Sequence, residues 1–110
     1  MREPTYFLLA ALLDGPLYGY AIIKRAEELS GGRVRLAAGT LYAAIDRLVG
    51  EGLIEAAREE TVNGRIRRYY ALTEAGDRAV RDEAARMVRA ASVVTGHLPA
   101  RSIAPVVRPA

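Results

Sequence analysis

The dipeptide Asn63-Gly64 stands between two strand-like runs, Ile54 to Thr61 and Ile66 to Leu72, and constrains this chain more than any other feature. Both residues tolerate positive φ, as a type I′ turn demands, so the segment reads as a tight antiparallel β-hairpin. Thr73 follows the second run as an N-cap, with Glu74 and Asp77 in the positively polarised first turn of a helix over Glu74 to Thr95.

Upstream of the hairpin the pattern is helical. A first helix is predicted from Pro4 to Leu13, apolar on most sides and therefore buried by its own domain or by a second chain. Asp14-Gly15-Pro16 stops it. A second helix spans Gly19 to Ser30, with Ala21, Ile22, Ala26 and Leu29 inward, and ends at Gly31-Gly32. Arg33-Val34-Arg35-Leu36 alternates as a short strand or extended connection would. A third helix spans Gly39 to Gly50, burying Leu41, Ile45 and Leu48 at i, i+4, i+7 and turning Thr40, Ala43 and Arg47 the other way.

The chain of 110 residues is the size of one compact unit. It has no cysteine, which removes disulfides and thiolate metal sites. Its one histidine, His97, has no partners at metal-ligand spacing, and no cofactor is expected. No nucleophile–base arrangement, paired carboxylates or phosphate-binding loop appears, so an enzyme is not expected. Tyr6 to Leu13 is too short to span a bilayer and lacks a signal peptide's flanks, so no membrane role and a cytoplasmic location are expected. The net charge of +3 decides little, so local clustering must carry the electrostatics.

Three helices followed by a hairpin form the order of a winged helix-turn-helix: mainly α with a small β-hairpin. A helix fits the major groove of B-DNA, and a hairpin beside it needs cations to lie along phosphates. Arg65, Arg67 and Arg68 cluster around Asn63, with no acid between Thr61 and Thr73. They are either a DNA-binding wing or a solvated edge whose charge discourages aggregation. Alternation puts Arg65 and Arg67 on one face and Arg68 on the other, where Glu59 or Glu60 would pair with it. Base or phosphate contacts on the third helix fall to Thr40, Ala43 and Arg47, unless Arg47 pairs with Asp46. Tyr42 either bonds a phosphate or covers the core. Tyr20 is expected in the core, while Tyr18 reaches toward the DNA backbone. Tyr69 and Tyr70 point to opposite faces.

On the last helix Val80, Ala84, Met87, Ala91 and Val94 repeat at spacings of four and three, a seam suited to another helix. A helix of this length, about 33 Å, exceeds what so small a domain covers alone, so the seam implies a homodimer. Phe7 and Leu8 of the first helix supply the facing surface. The organisation expected is a DNA-binding domain over 1–73, a dimerisation helix over 74–96 and a flexible tail over 97–110.

GPLYGYAIIKRAEELSGG, GTLYAAIDRLVGEGLIE and NGRIRRYYALTEAG closely resemble the PadR family of bacterial transcriptional regulators, with the likeness running over residues 4–95. The single C-terminal helix is similar to that of the family's compact branch. The resemblance implies a homodimer on a palindromic operator in double-stranded DNA, most often a repressor released by a small molecule. One departure is Ala37, where the family carries a capping Ser or Thr. The last helix has no aromatic residue on which a flat effector could stack, which leaves Met87, Val88 and Ala91 to line a pocket for a small apolar one. Two other readings compete: a winged helix used as a protein-interaction module, and a sequence-indifferent DNA binder.

Overall fold

The computed structural model describes residues 1–97. The expected flexible tail over 97–110 lies outside them, except for His97. α1 (Glu3–Ala11) begins with Pro4 in its first turn, β1 (Leu17–Tyr18) follows, and α2 (Gly19–Leu29) starts directly from it. α3 (Ala38–Gly50), β2 (Ile54–Val62), β3 (Arg65–Leu72) and α4 (Glu74–Thr95) complete the order. This is a winged helix-turn-helix with one strand more than the hairpin alone. β1 pairs antiparallel with β3, Leu17 opposite Tyr70 and Tyr18 opposite Tyr69, giving a sheet of order β1-β3-β2.

The core lies where α1, α2, α3 and the base of the sheet converge: Leu8, Leu9, Leu12, Ile22, Leu41, Ile45, Leu48, Ile54 and Tyr70. Leu41, Ile45 and Leu48 are the buried stripe of α3, as their spacing requires. The hairpin turns at Asn63 (φ 51°) and Gly64 (φ 75°), the positive angles of a type I′ turn. α2 closes in a Schellman motif: Gly32 N–H donates to the Glu27 carbonyl at 2.8 Å, and Gly31 N–H to that of Glu28 at 3.1 Å.

Of the two readings of residues 33–36, strand or connection, the connection holds, and Leu17–Tyr18 takes the open edge of β3. The alternation of 33–36 comes from Val34 plugging the core between α2 and α3, its N–H held by Ser30 Oγ at 2.8 Å. Two expectations are corrected. Tyr20 is not in the core but 62% exposed, since Gly19, Ile22 and Ala26 make the buried stripe of α2 and Tyr20 lies off it. Leu29, expected inward, is exposed, and the adjoining Ser30 is buried in its place.

α4 is anchored at its start. Thr73 Oγ1 accepts from Gly76 N–H at 3.0 Å and donates to the Gly52 carbonyl at 2.6 Å, while Thr73 N–H donates to the Leu53 carbonyl at 3.1 Å. Gly76 passes so close beneath that carbonyl that an added Cβ would lie 1.9 Å from its oxygen, so the helix seats only with glycine there. Val80 then enters the core at 2% exposure, and Leu8 of α1 is buried at 1%. This corrects the expected seam between chains, because Leu8 and Val80 are consumed within their own protomer. Phe7 and Ala84 are half-buried, and from Met87 onward α4 is exposed.

Candidate nucleic-acid interface

α3 begins at Ala38 with Ala37 as N-cap and no side-chain cap, as that alanine implies. Opposite the buried stripe the helix presents Gly39, Ala43 and Asp46, all exposed, so its outward face is mostly small. Thr40 and Arg47 flank that face on the side of α1. Together with Thr5, Leu36 and Ala44 they line a cleft of about 300 Å³. The Arg47 guanidinium is turned into this side, donating to Thr5 Oγ1 at 3.0 Å and lying 3.5 Å from Glu51. Its acidic partner is therefore one turn along the helix, not the neighbouring Asp46.

Tyr42 covers the start of α2. Its ring is half-exposed, and its hydroxyl rests where a Cβ on Gly19 would lie, 2.4 Å away. Glycine at 19 thus lets the two helices of the helix-turn-helix meet through this phenol. Tyr20 stands exposed one residue further, with Lys24 Nζ 5.9 Å from its ring centre. Sequence reasoning passed over this pair because it placed Tyr20 inside.

On the hairpin the register sorts the charges. Glu59 lies opposite Arg68 and Glu60 opposite Arg67. Arg68 Nε donates to Glu59 at 3.0 Å, the pairing its strand face implied. Arg67 makes no ion pair with the Glu60 it opposes. Its guanidinium lies instead 4.4 Å from the centre of the Tyr18 ring. Arg65 sits at the tip beside the Asn63 turn, exposed, and among the described residues neither Arg65 nor Arg67 is in an ion pair.

Arg58 is the residue missed. A register shift between Ala56 and Arg58 marks a bulge at Ala57. It places Ile54 on the core face and Arg58 on the outer face, although simple alternation would put both on one side. Arg58 stacks 3.8 Å from the centre of the Tyr69 ring and contacts Glu60 at 3.4 Å. Counting back from Asn63-Gly64 would have set Arg58 against Tyr69; the signal was there, and the turn supplied it.

The remaining site candidates lie apart from this surface. Met87, Val88, Ala91 and Val94 are all exposed on the outer half of α4. Among the described residues no group of three or more His, Cys, Asp or Glu could hold a metal ion, and no helix is long and apolar enough to cross a membrane.

Residues 8–82 match the family model described as Transcriptional regulator PadR-like family. An uncharacterised 37.1 kDa protein in transposon TN4556 of Streptomyces fradiae is 41% identical over 80% of this chain and 24% of its own length. Transcriptional regulator Rv3488 of Mycobacterium tuberculosis is 36% identical over 64% of each chain. This chain therefore spans less than two thirds of the length of either relative. Among solved structures, Bacillus subtilis PadR in complex with operator DNA aligns with a TM-score of 0.67 and 26% identity, over 76% of this chain and 47% of that one.

Proposed function

The chain belongs to the PadR-like family of transcriptional regulators, and from that premise we propose that it binds double-stranded DNA as a homodimer and acts as a repressor. Each protomer lays α3 in a major groove while the β2–β3 wing lies across neighbouring phosphates. Half-sites then fall about one helical turn, roughly 34–36 Å, apart on a palindromic operator. The observation that carries this reading is the sorting of charge on the wing. Arg68 and Arg58 are engaged by carboxylates, whereas Arg65 and Arg67 keep their guanidiniums free of them, and the outward face of α3 is small enough to approach base edges. Direct base contacts are few on such a face, so DNA shape contributes to the choice of operator.

Thr40, Ala43 and Tyr42 meet the DNA from α3, Tyr18 and Asn63 flank the wing, and Arg47 contributes only by leaving Glu51 and Thr5. Pairing of chains falls to the run from half-buried Ala84 through the exposed Met87, Ala91 and Val94 against α1 of the partner, with Phe7 at its edge. Residues 1–73 are then the DNA-binding unit and 74–96 the dimerisation helix. A small apolar effector, seated between protomers against Met87, Val88 and Ala91, is the release signal, and the protein works in the cytoplasm.

The test is the salt dependence of binding. Arg65→Ala with Arg67→Ala weakens affinity for all sequences and flattens the plot of log affinity against log salt by about two phosphate contacts. An unchanged slope in an anisotropy titration sinks the wing assignment.

A further inference from the structure

Two opposed charge pairs on the hairpin behave differently. Opposite charges across an antiparallel pair attract, and Arg68 with Glu59 does what that rule predicts. Arg67 with Glu60, one position along and on the other face, does not. Each oxygen of Glu60 already has a partner that competes for it: Tyr69 Oη donates to Oε1 at 3.1 Å, and Arg58 Nη1 lies 3.4 Å from Oε2. Arg58 itself lies over the Tyr69 ring. On the same face Tyr18 meets Tyr69 edge to face, centres 5.5 Å apart, and carries Arg67 on its ring.

We propose that Arg58, Tyr69 and Tyr18 are positioning residues that keep the charge of Arg67 available to a DNA phosphate. The inference rests on the DNA-binding reading above and deepens it. Arg58 and Tyr69 occupy the one carboxylate that would otherwise neutralise Arg67. Tyr18 supports the guanidinium by its face, which leaves the in-plane N–H groups free for the forked contact that a phosphate accepts. The four side chains lie in the order Arg58, Tyr69, Tyr18, Arg67, so a cation closes each end and only one of them is paired with an acid.

The experiment uses the full chain and a mixed-sequence duplex of about 30 base pairs, titrated over a salt series, where affinity reads phosphate contacts. Arg67→Ala lowers the slope by about one contact. Arg58→Ala does the same, because Glu60 turns to Arg67, and that loss disappears in the Glu60→Gln background. Tyr69→Phe gives a weaker version with the same rescue. Tyr18→Leu weakens binding several-fold but has no further effect once Arg67 is alanine. Thermal midpoints taken alongside separate these effects from loss of the fold.

A loss in Arg58→Ala that persists with Glu60→Gln overturns the proposal, since Arg58 then touches phosphate itself. So does a Tyr18→Leu loss of the same size with and without Arg67, or an unchanged slope in Arg67→Ala. No binding by the unsubstituted chain defeats the DNA-binding reading as well, a result distinct from the others.

Discussion

Along α4, the turns around Gly76 and Val80 and the turns from Met87 to Val94 share one apolar repeat but meet different surroundings. The first stretch is locked into its own protomer, with Gly76 under the Leu53 carbonyl and Val80 in the core. The second stands free, with Met87 36% and Val94 73% exposed. A spacing of four and three says that a helix has an apolar face; it does not say whose atoms will cover it. Coverage depends on how far the body of the domain reaches along the helix, and here it reaches about as far as Ala84. In the proposed dimer, folding and association then fall to successive turns of one helix.

The largest effect that tests this division is expected at Val80. Val80→Asp places an unpaired charge in the core and costs about 4 kcal/mol or more, so the fold should be lost by circular dichroism. A folded dimer of Val80→Asp would break the distinction between the halves. Next comes Met87→Asp with Val94→Asp, which adds charge only to exposed positions. That variant should keep native helical content while sedimenting as a monomer, and a persistent dimer would place the interface elsewhere.

The smallest effect is a pH dependence near the boundary. A hydrogen bond from Arg86, its Nε 3.1 Å from Glu83 Oε1, holds the Glu83 carboxyl below its ordinary value. A depressed pKa stabilises above the unfolded value and loses that contribution as pH falls through the folded one. The difference in thermal midpoint between the native chain and Glu83→Gln should therefore be present at neutral pH and shrink as acidification passes through and below the ordinary carboxylate range. A difference that grew on acidification would mean the carboxylate is repelled rather than held.

Much of the fold was legible in the sequence. Asn63-Gly64 set the hairpin and its register at the tip, Leu41, Ile45 and Leu48 set the inner face of α3, and Thr73 marked the start of α4. What escaped had physical causes. The two-residue β1 is too short to show a period, so Leu17-Tyr18 gave no strand signal, while Arg33 to Leu36 alternated and fitted a strand as well as a connection. Tyr20 was misplaced because an aromatic residue near a helix start looks like core until the other turns of α2 fix the stripe. In the site, the like-signed cluster Arg65, Arg67 and Arg68 was plain, but which of them stays unpaired depends on cross-strand neighbours and on the bulge. Arg47 was visible as a cation and its Thr5 partner was not, since 42 positions separate them.

The bulge at Ala57 has a consequence for anyone transplanting or resizing this wing. Below it the strand keeps step with the core, with Ile54 inward opposite Leu72; above it the step is reversed, with Arg58 and Glu60 outward. The wing is thus a ratchet with one odd tooth. Residues can be added or removed at its tip in matched cross-strand pairs, two per strand, and the outer face keeps its arginines and tyrosines. Deleting Ala57 alone would leave Ala56 followed directly by Arg58, so plain alternation would then keep Ile54 inward and Arg58 and Glu60 outward; ironing the bulge flat with Ala57 in place would instead carry Glu59 to the face that Arg67 occupies. A graft of the basic tip onto another scaffold therefore keeps its charge pattern when the extra residue is either bulged out or left behind, and loses it when that residue is drawn into the ladder.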